Sequence, residues 1–519
     1  MNRERRDAMF QIKNLNISHR KDLRPIISGL SLTLNDGDKA AVIGEEGNGK
    51  STLLKWLCDP ASIDSYTEWS GETVGMGSIG YLAQEMSPED KAKTVYDYLC
   101  EDDSFFLQSQ GELSQTASKL RIPVEKFYSD QLIGTLSGGE KVKLQMAKLI
   151  ARRPDLLLLD EPSNDIDIET LEWLERFINA QEVPVLYISH DEVLLERTAN
   201  KIVHIELVRR KTVSRVTVAK CGYREYVTER MNSLEKQEQL ARKEQAEFDR
   251  QQERWEQIYR KVERDQNGNT RQNPHAGRLL KKKMHAVKSM QKRFEREAEN
   301  MTQLPDVEEQ IFLDLNKCEV PNGKTVLEMH LDTLAADGRT LASNIDLNIY
   351  GSKHICIIGR NGGGKTTLLK KIAESLLPRD DLSAFYMPQD YDSELDAKQT
   401  PVEFLSVTGD KAETDRIRTF LGCVKYTAEE MFHPIGELSG GQRAKLFFIK
   451  MSLSDHNVLI LDEPTRNFSP LSNPVIRGLL RDFRGVIISV SHDRKYVSEV
   501  CDTVYRLDET GLRQIEKEQ

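Results

Sequence analysis

The sequence predicts an α/β protein made of two copies of one domain, joined by an antiparallel helical hairpin. Three observations carry this. Four short motifs occur twice, in the same order and at matching spacings. The glycine-rich member of each set sits between a strand-like apolar run and a helix-like one. The segment between the copies has a different composition and a seven-residue apolar spacing.

The repeat sets the organisation. GEEGNGKST at 44–52 recurs as GRNGGGKTT at 359–367, and LSGGE at 136–140 recurs as LSGGQ at 438–442. LLLLDEP at 156–162 recurs as LILDEP at 459–464, and ISHD at 188–191 recurs as VSHD at 490–493. Ser137 to Asp160 and Ser439 to Asp462 are both 23 residues; Asp160 to His190 and Asp462 to His492 are both 30. The two copies are expected at 8–212 and 309–517.

Between them, 223–304 is rich in Lys, Arg, Glu and Gln. Val227, Leu234, Ala241, Phe248, Trp255 and Val262 fall seven apart, and so do Leu280, Val287, Phe294 and Met301. Met231, Tyr259, Met284 and Ala298 are expected to widen the two stripes. Such heptads predict helices with one apolar seam. DQNGNTRQNPHAG at 265–277 is rich in helix breakers and is expected to form the tip of a hairpin. A solvated linker helix without a partner is the competing reading.

Composition narrows the class. The chain has 519 residues, 30% of them charged, and its apolar runs fall far short of the roughly 20 residues that span a bilayer. MNRERRDAMF has no apolar core of a secretory signal. Seven scattered cysteines with no CxxC pair predict neither a disulfide framework nor a zinc site, and fit a reducing, cytoplasmic setting.

Each glycine-rich loop has the strand–loop–helix context of a phosphate-binding loop. Gly44, Gly47 and Gly49, and in the second copy Gly359, Gly362 and Gly364, let backbone N–H groups close around phosphates. Lys50 and Lys365 are expected to reach the β- and γ-phosphates of a nucleotide. Ser51 and Thr366 are expected to ligate Mg²⁺, with Thr52 and Thr367 completing the loops. The buried strands of LLLLDEP and LILDEP end in two carboxylates. Asp160 and Asp462 are expected to hold Mg²⁺ through water, and Glu161 and Glu463 to polarise the attacking water. His190 and His492 follow β-rich runs; a lone His there is often structural, but the repeated spacing favours a γ-phosphate contact. The Ser-Gly-Gly turns, with Ser137 and Gly139 or Ser439 and Gly441, present N–H donors and a helix N-terminus to an anion.

Together these motifs resemble the ATP-binding cassette ATPases over both halves, about 420 residues. The fold class implied is two P-loop ATP-binding cassette domains joined by a coiled-coil hairpin linker. In that family two cassettes close head to tail, with each ATP between one phosphate loop and the other cassette's signature turn. The resemblance implies one site from Lys50, Glu161 and His190 with Ser439 and Gly441. It implies a second from Lys365, Glu463 and His492 with Ser137 and Gly139. Gln84 and Gln389 match the family's metal- and water-sensing glutamine. Two departures mark the sites as unequal. His19 stands for the adenine-stacking aromatic in the first cassette, with no clear equivalent in the second. Asp167 occupies the position after the first DEP motif where the second has Ser469.

Two cassettes on one hydrophilic chain, joined by a charged hairpin of about 80 residues, resemble the ABC-F group. That resemblance implies an ATP hydrolase, one chain with intramolecular cassette pairing and no transmembrane subunit. It also implies binding at the tRNA exit site of the bacterial ribosome, with 23S rRNA and peptidyl-tRNA as partners of the hairpin. Charge placement agrees: 223–304 holds 19 Lys+Arg against 14 Asp+Glu, while the rest of the chain holds 54 against 69. Residues 254–296 alone hold 13 basic and 4 acidic side chains, Lys281, Lys282 and Lys283 among them, which suits phosphate neutralisation. Trp255 and Tyr259 sit on the heptad and are expected in the hairpin core. Arg271, Asn273 and His275 are the candidate tip contacts to RNA.

Housekeeping ABC-F factors carry an arm inserted in the first cassette. Here Gln84 to Leu136 is 52 residues and Gln389 to Leu438 is 49, so there is no insertion. That resembles the antibiotic-resistance, ribosome-protection members. A general translation factor is the alternative; an ATPase subunit of a transporter and a DNA-repair or chromosome ATPase are more remote ones.

Overall fold

In each half the predicted buried runs become neighbouring strands of one six-stranded sheet. The computed structural model describes residues 10–516 except 76, 165, 209–210, 268–273, 300, 303, 306–314, 316–318, 322 and 337. The first sheet runs, edge to edge, Ile79–Leu82, Leu156–Asp160, Val185–Ile188, Lys39–Ile43, Lys201–Val208 and Val213–Ala219. The second repeats that order with Ala384–Met387, Val458–Asp462, Val486–Val490, His354–Gly359, Thr503–Asp508 and Gly511–Ile515. Five strands of each are parallel and the last pairs antiparallel. Strands covered on both faces need apolar residues at every position. Leu156–Asp160, Lys39–Ile43 and Val458–Asp462 accordingly bury all five of theirs.

Each phosphate-loop strand sits inside its sheet, and the helix that follows packs back on the face. Leu53, Leu54, Trp56 and Leu57 of helix Lys50–Cys58 join Ala40, Val42, Leu158 and Ile188 in one core. Leu368, Leu369, Ile372 and Leu376 of helix Lys365–Leu376 do the same in the other half. The motif loops therefore gather at the carboxyl ends of the parallel strands, where open α/β sheets bind their ligands. A flanking antiparallel layer, strand Phe10–His19 between Pro25–Leu34 and Thr67–Val74, covers the first core; Thr325–Ala336 paired with Arg339–Tyr350 covers the second.

The chain divides into two compact units. One holds both cassettes, up to Tyr223 and from Glu308; the other is Arg224–Val307. The second unit contains helices Tyr223–Asn267 and Pro274–Glu299. They run antiparallel: the Phe248 and Phe294 rings meet edge-on at 6.1 Å, and seven residues on, the Trp255 indole N–H donates to the Val287 carbonyl at 2.9 Å. Ala241, Val262 and Val287 are buried, and Tyr259 packs on Trp255. The heptads are thus a real seam, and Trp255 and Tyr259 belong to it. One offset position departs from expectation: Met231 is 56% exposed and lies off the buried seam. Arg271 and Asn273 lie outside the described residues, as does the side chain of His275. Among the described residues no helix is long and apolar enough to cross a membrane.

Val287 is buried in the seam beneath the Trp255 hydrogen bond, so its methyl groups count. Val287→Ala is expected to lower hairpin stability by about 1–3 kcal/mol. Amide hydrogen exchange along Tyr223–Asn267 should report faster opening there and no change in the cassette strands.

Candidate active site

Glycine makes both phosphate loops possible. Gly44 and Gly359 approach the neighbouring strand so closely that a Cβ would lie 2.3 Å from the Ile205 carbonyl oxygen and 2.5 Å from that of Leu507. Gly49 and Gly364, at φ 88° and 90°, cap the helices beginning at Lys50 and Lys365 in the left-handed region that glycine enters without strain. Gly47 and Gly362 also have positive φ. Each lysine arches over its own loop. Lys50 Nζ donates to the carbonyls of Gly44 and Glu45 at 2.9 Å, and Lys365 Nζ to those of Gly359 and Arg360 at 2.9 Å. Both ammonium groups stand where loop-bound phosphates would meet them.

The carboxylate pairs stand opposite. The Ser51 hydroxyl donates to Asp160 at 3.0 Å, and Tyr81 donates to the other oxygen at 3.2 Å. Asp462 is buried, and among the described residues neither of its carboxylate oxygens has a hydrogen bond of good geometry, although the Thr366 hydroxyl lies close enough to lower its pKa. Burial raises both aspartates' pKa, against the pull of Ser51 on one and of Thr366 and Lys365 on the other. Hydroxyl and carboxylate oxygens of this kind suit a hard divalent cation.

Glu161 and Glu463 have φ of 49° and 53°, a backbone state that costs a non-glycine residue energy. The same strain recurs at the same motif position, and it turns both carboxylates out of the strand line toward the loops. Around Glu161 converge Gln84 Nε2 at 2.9 Å, the Asn164 amide and His190 Nε2 at 3.3 Å. Burial opposes its charge, but His190, Lys50 and Asn164 hold its pKa down at about 2. Among the described residues Glu463 accepts from the His492 backbone N–H at 3.2 Å, with His492 Nε2 at 3.8 Å. Burial pushes Glu463 up to about 8 and, helped by Lys365, pushes His492 down to about 4. The two copies share a frame and shift the glutamate's pKa in opposite directions.

The cassettes face each other within their unit. A cavity of about 890 Å³ is lined by Gly362, Gly364, Lys365, Thr366, Thr367, Gln389, Asp462, Glu463 and His492 from the second cassette. Gly138 and Lys141 of the first signature helix complete its wall, as do Gln84 and His190. Ser137 and Ser439 cap helices Gly138–Ala151 and Gly440–Leu453, each reciprocated by the third helical residue, Glu140 or Gln442. Gly139 has Thr170 Oγ1 2.7 Å from where a Cβ would stand, so a side chain would clash. His19, at the end of its strand, lies 3.2 Å from Asp22. In the second cassette Ala336, Arg339 and Leu341 line the corresponding edge of the cavity.

Several contacts across the cassettes escaped the sequence. His190 Nδ1 donates to the Phe468 carbonyl at 2.8 Å. The Glu46 carboxylate accepts from the Gly441 N–H, and Lys445 pairs with Glu45 at 3.0 Å. Beside them, Arg494 reaches Glu175 at 2.6 Å and Asp191 at 3.1 Å, Lys495 reaches Glu196 at 2.6 Å, and buried Arg477 joins Glu192. The available signal was the divergence after the histidines: DEVLLE at 191–196 is acidic, whereas DRK at 493–495 is largely basic.

Comparison with known proteins agrees with this arrangement. The ABC transporter family model matches residues 27–164 and again 342–466, half of the chain. ABC transporter F family member 2 of Arabidopsis thaliana is 24% identical over 96% of this chain and 76% of its own length. Ribosome protection protein VmlR of Bacillus subtilis (strain 168) is 28% identical over 96% of this chain and 86% of its own. A crystal structure of the archaeal ribosome recycling factor aABCE1 with the stalk protein aP1 superposes at a TM-score of 0.58, with 17% identity, covering 97% of this chain and 90% of that one. The chain belongs to the ATP-binding cassette family, as a tandem-cassette ATPase of the ABC-F group.

Proposed function

We propose that this ATPase binds the bacterial ribosome at the tRNA exit site in its ATP-bound form. Its hairpin remodels the peptidyl-transferase region and displaces antibiotics bound there. The observation that carries the reading is the likeness to VmlR over nearly the whole of both chains, together with a hairpin unit of suitable charge. Lys281, Lys282 and Lys283 are all exposed on the second arm. Cytoplasmic location, 23S rRNA and peptidyl-tRNA as partners, and action as a single chain follow from the same reading. So do domains at 8–212, 223–304 and 309–517.

In this reading each ATP lies between one cassette's loop and the other's signature turn. Lys50 and Lys365 hold phosphate, with Gly44, Gly47, Gly49, Gly359, Gly362 and Gly364 shaping the loops and Thr52 and Thr367 closing them. Ser51, Asp160 and Gln84, and Thr366, Asp462 and Gln389, would hold Mg²⁺, which supplies charge neutralisation at the transferring phosphoryl group. Glu161 and Glu463 orient and polarise the attacking water. His190 and His492 contact the terminal phosphate. Ser137 and Gly139, and Ser439 and Gly441, complete the sites from across. Phosphoryl transfer asks for positioning and charge more than covalent chemistry, so these groups suffice.

Co-sedimentation of the full chain with bacterial ribosomes, with and without ATP, tests the reading; a chain that stays in the supernatant with ATP overturns it. Charge reversal of Lys281, Lys282 and Lys283 to Glu is expected to weaken ribosome binding and flatten its salt dependence. Each lost phosphate contact removes up to about one unit from the slope of log affinity against log salt. An unchanged slope would place the phosphate contacts elsewhere.

A further inference from the structure

The two phosphate loops differ at four positions, and at two of these the charge changes. GEEGNGKST carries Glu45 and Glu46 where GRNGGGKTT carries Arg360 and Asn361. Both glutamates cross to the second cassette. The Gly441 N–H, at the start of helix Gly440–Leu453, donates to Glu46. Lys445, buried one turn on, holds both oxygens of Glu45 at 3.0 and 3.2 Å, and the Ser472 hydroxyl reaches one of them at 3.4 Å. Ser472 is in turn hydrogen-bonded to Ser469, the residue standing where the first cassette has Asp167. The carboxylate that one loop lacks is thus supplied by the loop facing it. The second loop, with Arg360 and Asn361, has no carboxylate to offer at these positions. Lys143, the counterpart of Lys445, lies over the Trp173 ring at 5.4 Å, and Asn361 lines the cavity described above.

A helix N-terminus with its free N–H groups attracts an anion. At Gly441 that anion is a protein carboxylate. A nucleotide's terminal phosphate competes for the same donor and is repelled by the charges of Glu45 and Glu46. We propose that Glu45 and Glu46 set the order in which the chain takes up nucleotide. The site built on Lys365 loads first, and the site built on Lys50 loads only after the two carboxylates have been displaced from Gly441 and Lys445. The carboxylates act as positioning groups, joining the cassettes on one side before nucleotide joins them on the other. This rests on the composite-site reading above.

The test uses the full chain with Mg²⁺ and a slowly hydrolysed ATP analogue, titrated by equilibrium dialysis, and an azido-ATP label mapped by peptide mass. The wild-type chain is expected to bind two nucleotides with affinities roughly 10- to 100-fold apart, the scale of one charge-assisted hydrogen bond. At low concentration the label should appear in peptides around 359–367 and not around 44–52. Glu45→Arg with Glu46→Asn, which writes the second loop's residues into the first at these two positions, should bring the two affinities within a few-fold. Glu46→Gln, which keeps the shape and removes the charge, should narrow the gap as well, an effect that a purely packing role would not produce. Two equal affinities in the wild-type chain, or early label around 44–52, overturn the ordered loading even if the variants fail to fold. A gap unchanged in folded variants overturns the role of the glutamates. Binding of a single nucleotide at saturation overturns the composite-site reading itself.

Discussion

The double variant Glu161→Gln, Glu463→Gln is expected to bind ATP and to hydrolyse it at least about 100-fold more slowly than the wild-type chain, the lower end of what a positioned general base contributes. Glutamine has the same length and can keep the strained backbone at φ 49° and 53°. The loop lysines, the hydroxyls of Ser51 and Thr366 and the aspartates before each glutamate are untouched, so phosphate and cation binding survive. What is lost is a carboxylate able to take a proton from water. At Glu161 three groups, Gln84, Asn164 and His190, aim at that carboxylate, and an amide cannot accept from all of them. At Glu463 the His492 N–H does the aiming. With hydrolysis blocked, two-site closure has no exit. Shifting a two-state equilibrium from 1:99 to 99:1 takes about 5.5 kcal/mol, which two nucleotides each held from both sides can supply. The double variant should therefore accumulate on ribosomes and inhibit translation. Stopped-flow phosphate release and ribosome pelleting measure the two halves of this expectation. A double variant with ordinary turnover would remove the glutamates from their assigned role.

What the sequence made legible was whatever is local or repeated. The buried strands that carry the motifs follow from apolar runs and from two motif sets at equal spacing, because a buried parallel strand leaves no alternative to residues such as Leu156–Leu159. The hairpin seam follows from one period: Phe248 and Trp255 on one arm meet Phe294 and Val287 on the other. The contacts between cassettes were not legible. Glu46 and Gly441 are 395 residues apart, and no periodicity links them. Glu45 and Glu46 lie inside a glycine-rich loop whose motif gives them no role, and Ser469 stands where the first cassette has Asp167. The structure shows the two as halves of one exchange. The charge contrast between helices Glu192–Thr198 and Arg494–Glu499 was visible in the letters, but only their meeting gives it meaning. The opposite pKa shifts of Glu161 and Glu463 were hidden for the same reason: burial and neighbours set them, and the motif is identical.

Replacing Asp265–Gly277 by a short Gly/Ser turn is expected to abolish protection of a sensitive bacterium while leaving ATP hydrolysis within about twofold of the wild-type rate. The segment lies in the unit that carries no nucleotide motif, and the seam contacts at Trp255–Val287 and Phe248–Phe294 lie outside it. Arms of 45 and 26 residues correspond to about 68 and 39 Å of helix at 1.5 Å per residue. The proposed reading needs a long extension to reach from the exit site to the peptidyl-transferase centre, and among the described residues no other helix exceeds 14 residues. The measurement is the inhibitory concentration of lincosamides, pleuromutilins and streptogramin A compounds for cells expressing the wild-type chain, the tip variant or neither. The wild-type chain should raise it, and the tip variant should return it to the level of cells without the protein. If the tip variant still protects, the hairpin is not the acting element. If the wild-type chain raises none of the three while still pelleting with ribosomes in ATP, displacement of these drugs is excluded and a general translation factor takes its place, with the same cassettes and seam serving a different event at the same centre.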